Sequence, residues 1–232
     1  MEDSAKKVNI HAGHRTRLLE KIIKYGFNGV AEHEILEAVL YICYSQANTN
    51  DVAHKLLKEF GNLHNICAAP IEALTKIKYV GDNTARYLKM LPEFIKAYQL
   101  SSFDVKKAFG SLEEIAQYCM LQYIGKDSSE VVYLLCLDAK QKLIKQSKIA
   151  EGNPGSVYLD PRRVIEEVAH TATAKVVLCH NHPGGTLFPS QKDFDVTSRV
   201  KMLLNAIGIE LLDHVIVVKD KYISFRNENY RF

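Results

Sequence analysis

The sequence predicts two domains: an all-helical domain, then an α/β domain whose mixed β-sheet is flanked by helices. Three observations predict this. Apolar residues recur at helical spacing through the first hundred residues. From Glu130 onward, short continuous apolar runs stand between turn-forming residues, as buried strands do. Those runs are joined partly by tight turns and partly by helical stretches, and that alternation gives a mixed sheet. The stretch from Gln99 to Ala108 lacks a clear period and serves as the linker, so the expected domains are 1–103 and 104–232.

In the first domain, Leu18, Leu19, Ile22 and Ile23 fall on one face of a helix from Arg15 to Tyr25, which Gly26 can end. A second helix covers Ala31 to Tyr44. Asn48 to Asp51 offers several N-caps for a third, through Val52, Leu56, Leu57 and Phe60, stopped near Gly61. Two short helices follow, Asn62 to Ala68 and Pro70 to Ile77. His11 and His14 read as caps or surface groups with no metal partner in view.

In the second domain, Leu112 to Tyr123 reads as an opening helix. Glu130 to Asp138 is a buried strand that begins with a carboxylate, and Asp138 to Gln141 turns the chain into a partner strand, Lys142 to Ala150. Asp160-Pro161 places an N-cap before a proline suited to the first helical position, and that helix runs to about Ala172. Ala174 to Cys179 is an interior strand. A helix through Val196, Val200, Leu203 and Leu204 ends near Gly208, and strands Leu211 to Val218 and Tyr222 to Phe225 close the chain.

The chemistry gathers after the interior strand, at His180-Asn181-His182-Pro183-Gly184-Gly185 and on to Ser190 and Asp193. Side chains alternate along an extended chain, so His180 and His182 project to one side. Pro183, Gly184, Gly185 and Pro189 break regular structure, and Ser190 restarts it. Two imidazoles and a carboxylate with a fourth position open describe a catalytic zinc site rather than a structural one. Ser-x-x-Asp is also a helix capping pattern, so Ser190 and Asp193 carry that second reading. The spacings H-E-x-x-H and C-x-x-C are absent, and HNH nucleases scatter their three residues instead of placing them together.

H-x-H, seven residues, then S-x-x-D behind an apolar strand resembles the JAMM/MPN metalloprotease motif, in its bacterial RadC-like branch. The resemblance implies an MPN-like second domain and a Zn2+ cofactor on His180, His182 and Asp193. It also implies cleavage of a peptide or isopeptide-type amide in a protein substrate. Glu130 matches the family's general base, with Glu151 as the other candidate, and Ser190 matches its oxyanion donor. Asp213 and His214 also fit the RadC-like pattern, in a supporting or sheet-packing role.

The N-terminal half resembles that of RadC-like proteins through His11 to Leu19 and Glu34-Ile35-Leu36. Ile77 to Leu88 resembles a helix-hairpin-helix, whose turn holds a DNA phosphate on backbone N–H groups. Lys78, Gly81, Asn83 and Thr84 are its candidate nucleic-acid contacts, although Tyr79 stands where the pattern has glycine. Plain helix packing is the other reading of this segment.

Composition sets bounds. The formal net charge is only +3, and the first half carries nearly equal numbers of basic and acidic residues. That balance argues against tight, salt-sensitive DNA binding and leaves weak contact as the expectation. A DNA-associated accessory protein is therefore the alternative function. No apolar run reaches membrane-spanning length, the first residues lack a signal-peptide core, and the five cysteines are scattered. The expected compartment is the cytoplasm, with the cysteines reduced in the core.

Overall fold

The computed structural model describes residues 13–45, 48–104, 107–153, 155 and 157–230. His11 lies outside them. The chain forms two compact units, 1–91 and 92–232.

The first unit is helical: α1 (His14–Tyr25), α2 (Glu32–Leu40), α3 (Thr49–Phe60), α4 (Leu63–Ala68), α5 (Ile71–Leu74) and the start of α6 (Asp82–Leu100). Its punctuation is the one expected. Gly26 and Gly61 end α1 and α3 at φ 67° and 88°, a region where a Cβ is costly. The Asn48 side chain accepts from the Asp51 N–H and the Asn62 side chain from the Asn65 N–H. Leu36, Leu40, Leu56, Ile66, Leu74 and Leu88 fill the core. Glu37 is buried beside that core and is saturated with donors. It accepts from the Tyr41 hydroxyl at 3.0 Å and Asn50 Nδ2 at 2.9 Å, and His14 Nε2 lies 3.3 Å away. His14 therefore ties α1 to α2.

Helix α6 runs through the division between the units and contains Pro92. It also absorbs Gln99 and Leu100, the start of the expected linker. The division falls at Pro92, inside a continuous helix, and not in the stretch without a clear period that follows.

The second unit contains α7 (Leu112–Leu121), β1 (Glu130–Leu137), β2 (Leu143–Gly152), α8 (Pro161–Val168), β3 (Lys175–Asn181), α9 (Gln191–Ala206), β4 (Glu210–Val218) and β5 (Lys221–Ser224). The sheet order is β2-β1-β3-β4-β5. Only the β3–β4 pair is parallel, and α9 makes that crossover. The sheet is mixed, as expected. Strands β1, β3 and β4 are buried on both faces, which explains their unbroken apolar runs. One face packs on α7 through Ile115, Ala116, Cys119, Val131, Leu135 and Val177. The other packs on α8 and α9 through Leu134, Val164, Val168, Leu178, Val200 and Leu204. No helix among the described residues is long and apolar enough to cross a membrane.

Leu134 is fully buried in mid-strand. Leu134→Ala is expected to destabilise the sheet unit by about 2–5 kcal/mol, the cost of a large-to-small core change. Urea unfolding of the full-length protein, followed by far-UV circular dichroism, measures it.

Candidate metal centre

Strand pairing builds the site. β1 and β3 are antiparallel with Val132 opposite His180. Glu130, two residues earlier on β1, faces the same side. Cys179 points to the opposite side, into the α7 core, as alternation predicts.

The turn after β3 aims the second histidine. The His182 N–H bonds the Val217 carbonyl, and the Gly185 N–H bonds the His182 carbonyl. Gly184 sits at φ 65°, and a Cβ on Gly185 would come within 3.1 Å of His182 Cβ. Both glycines are therefore needed for the turn. His182 Nδ1 lies 2.8 Å from the Thr186 carbonyl. A carbonyl only accepts, so Nδ1 carries a proton, and in the neutral ring Nε2 keeps its lone pair.

The third group comes from the start of α9. Ser190 and Asp193 form a capping box. Asp193 Oδ2 accepts from the Ser190 N–H at 2.6 Å and the Ser190 hydroxyl at 2.7 Å, while the Ser190 side chain faces the Asp193 N–H. The cap and the ligand readings of Ser190 and Asp193 describe one geometry. The cap fixes the carboxylate, with Oδ1 3.2 Å from His180 Nε2 and Oδ2 3.6 Å from His182 Nε2. The two Nε2 atoms are 2.8 Å apart.

These separations of 2.8, 3.2 and 3.6 Å bracket the edge of about 3.3 Å that a tetrahedron with bonds of about 2.0–2.1 Å requires. His180, His182 and Asp193 are the one group of this kind among the described residues. The residues thus fit a small divalent cation. Burial alone would raise the Asp193 carboxyl. The two imidazoles and the Ser190 hydroxyl beside it outweigh that and hold the group far below the ordinary carboxylate range, so Asp193 is anionic.

The three groups line one wall of a cleft of about 580 Å³. Glu130, Ser190 and Lys192 share it, and Val132, Val157, Leu159, Leu178 and Val196 give it an apolar side. Glu130 is largely buried, and its Oε2 accepts the Gly155 N–H at 2.7 Å. Lys192 Nζ donates to the Gly155 carbonyl at 3.2 Å. Glu151 does not line the cleft. It is exposed on β2, pairs with Lys148 at 2.5 Å and takes a hydrogen bond from Ser129.

Four further residues surround the three groups, of which Asp213 and His214 carry the supporting or sheet-packing expectation. Asn181, between the two histidines, is buried and reaches across to the start of β1. Its Oδ1 accepts the Val131 N–H at 2.8 Å, and its Nδ2 donates to the Lys126 and Ser129 carbonyls at 2.7 and 3.0 Å. It thereby pins the backbone that carries Glu130. His214 on β4 stands behind His180, with Nε2 2.8 Å from His180 Nδ1, and Thr197 Oγ1 lies 2.6 Å from His214 Nδ1. Burial holds His214 well below the usual histidine range, and so neutral. Asp213, next to it, accepts from the Ser224 hydroxyl and the His214 and Arg226 N–H groups, which closes the end of the sheet. The sequence signals for this second layer were a histidine inside the apolar run Leu211 to Val218 and the fit of Asp213 and His214 to the RadC-like pattern.

The four nucleic-acid candidates lie apart from this centre, in the helical unit. Lys78, Gly81 and Asn83 are exposed. Thr84 is buried and donates its hydroxyl to the Tyr44 oxygen at 3.1 Å. Tyr79 adopts φ 76°, the conformation a glycine would take there, and the Tyr44 hydroxyl bonds its carbonyl.

Asn181→Ala would leave the buried Val131 N–H without its partner and take a donor from two part-buried carbonyls. We expect a loss of about 1–3 kcal/mol, the cost of one unsatisfied buried group. Denaturant unfolding gives the loss, and hydrogen exchange should show the amide of Val131 deprotected first.

Comparison with known proteins agrees with this architecture. Residues 109–230 match the RadC-like JAB domain. A UPF0758 protein of Fusobacterium nucleatum is 30% identical over 224 residues, which is 93% of this chain and 96% of that one. A UPF0758 protein of Ruegeria pomeroyi is 30% identical over 217 residues, 94% and 96% of the two chains. One from a Geobacillus species is 30% identical over 213 residues, 91% and 93%. With its domain and nearly its whole length matched, the chain belongs to the RadC-like JAB domain family.

Proposed function

We propose that the protein is a zinc-dependent hydrolase that cleaves a peptide or isopeptide-type amide. The observation that supports this most is the convergence of His180, His182 and Asp193 in a cleft that also holds Glu130 and Ser190. A zinc ion bound there would lower the pKa of water from about 15.7 to about 7 and polarise the substrate carbonyl. The chain's own residues do the rest. Glu130 accepts a proton from the attacking water and returns it to the leaving amine. One of its oxygens is held by the Gly155 N–H, and the other takes the proton. The Ser190 hydroxyl turns from Asp193 to the oxyanion as negative charge builds there. Asn181 keeps Glu130 in register with the histidines. Glu151, engaged by Lys148 outside the cleft, is a poor candidate for the base. Five unpaired cysteines suit a reducing cytoplasm.

Variants separate these roles. Glu130→Gln should keep zinc and lose about 10² to 10⁴ in rate, because an amide cannot accept the proton. Ser190→Ala should keep zinc and lose about 10² to 10³. Asp193→Asn should lose zinc affinity itself. Cleavage of a peptide and isopeptide library, with zinc content measured in parallel, decides. A Glu130→Gln protein as active as its parent would refute the assignment.

The alternative, DNA association through the helical unit, draws on the exposed turn at Tyr79, whose ring is flanked by Lys55 and Lys78 at 5.3 and 5.0 Å. Against it, Asp82 places a carboxylate in the first turn of α6, where a phosphate would sit. We expect no better than micromolar binding of the full-length protein to duplex or branched DNA at physiological salt. Submicromolar binding that weakens steeply with salt would favour the accessory role.

A further inference from the structure

We infer that Thr197 is a positioning residue for the metal centre: through His214, it sets the tautomer that leaves His180 Nε2 free to bind a cation. Thr197 has one hydroxyl proton. Its oxygen is hydrogen-bonded to the Asp193 carbonyl, which has no proton to give, so Thr197 is the donor there. The contact of 2.6 Å between Thr197 Oγ1 and His214 Nδ1 must then draw its proton from the ring. A neutral imidazole carries one N–H, so His214 Nε2 is an acceptor. At 2.8 Å from it, His180 Nδ1 must supply the proton. In the neutral His180 ring, Nε2 is then left as a lone pair, facing His182 Nε2 and Asp193.

The relay closes on itself. It starts at the carbonyl of Asp193, one ligand, and ends at the ring of His180, another. Thr197 is fully buried, and His214 and His180 are nearly so, so bulk water cannot replace a missing link. Phe225 stacks at a tilt on His214, with ring centroids 4.7 Å apart, and holds the ring in place. His182 differs: its tautomer is set by a backbone carbonyl that no substitution removes. His180 alone depends on side chains for its proton position. Without the Thr197 oxygen, His214 Nδ1–H would face a methyl group. The relay would then run better in reverse, with His214 Nε2–H donating to His180 Nδ1. The proton of His180 would move to Nε2, where a metal must bind.

The consequence for metal affinity rests on the reading of His180 as a ligand, whereas the tautomer stands without it. The test uses ¹⁵N-labelled full-length protein, metal-free, at mildly alkaline pH. Long-range ¹H–¹⁵N correlations of the imidazoles report which nitrogen is protonated. The parent should show His180 protonated at Nδ1. Thr197→Val, which keeps the shape and removes the hydroxyl, should shift it toward Nε2, and Thr197→Ser should restore it. Zinc affinity, measured by competition with a chromogenic chelator, should fall about 10- to 100-fold in Thr197→Val and recover in Thr197→Ser. A parent His180 protonated at Nε2 would overturn the inference. So would a folded Thr197→Val with parental tautomer and affinity. If Thr197→Val does not fold, the parent tautomer alone decides. A parent that binds no zinc but shows the Nδ1 tautomer would count against the metal reading and leave the relay standing.

Discussion

The pairing of β1 with β3 is the constraint on which the rest of the second unit depends. With Val132 opposite His180, the face that carries His180 also carries Glu130. A slip of one residue would send His180 and His182 into the α7 core and Cys179 into the cleft, since each side chain changes face. The apolar faces prevent that slip. Leu134, Leu178 and Val176 belong under α8 and α9, while Leu135, Val177 and Cys179 belong under α7. Asn181 adds a polar lock to the same register, because its amide reaches the first residues of β1 from the end of β3. Hydrophobic packing and a buried amide thus hold Glu130 and the two histidines in one frame.

The start of α9 couples folding to chemistry in a second way. The first N–H groups of a helix need partners, and a capping box supplies them. Here the capping carboxylate is Asp193, so the requirement that starts the helix also orients it toward the two histidines. The same helix continues to Thr197, one turn on, where a buried hydroxyl meets His214. Helix α9 therefore touches the centre twice, and its apolar side, through Val200 and Leu204, anchors it to the sheet.

Much of this was legible in sequence because it depends on local chemistry. Gly26, Gly61, Asn48 and the Asp160-Pro161 pair marked helix ends that the structure places close by. The motif from His180 to Asp193 gave the three converging groups, because alternation along a strand and the spacing of a cap are local rules. What escaped is long-range. His214 reaches the ligand face only because β4 carries a bulge: Val176 pairs with Leu211 but Val177 with Asp213. Without that extra residue, His214, three positions after Leu211, would face the other core. No local pattern around Asp213-His214 announces such an irregularity. The division within α6 falls at Pro92, in a helical stretch that has no linker composition around it.

The central claim is that three donors, fixed by strand, turn and helix cap, are preset to hold one cation. Anomalous diffraction at the zinc edge, from crystals of zinc-loaded full-length protein, tests it most directly. The account predicts a single strong peak about 2.0–2.2 Å from His180 Nε2, His182 Nε2 and one Asp193 oxygen. Zinc bound only elsewhere, or no peak between those three groups at saturating zinc, would contradict it.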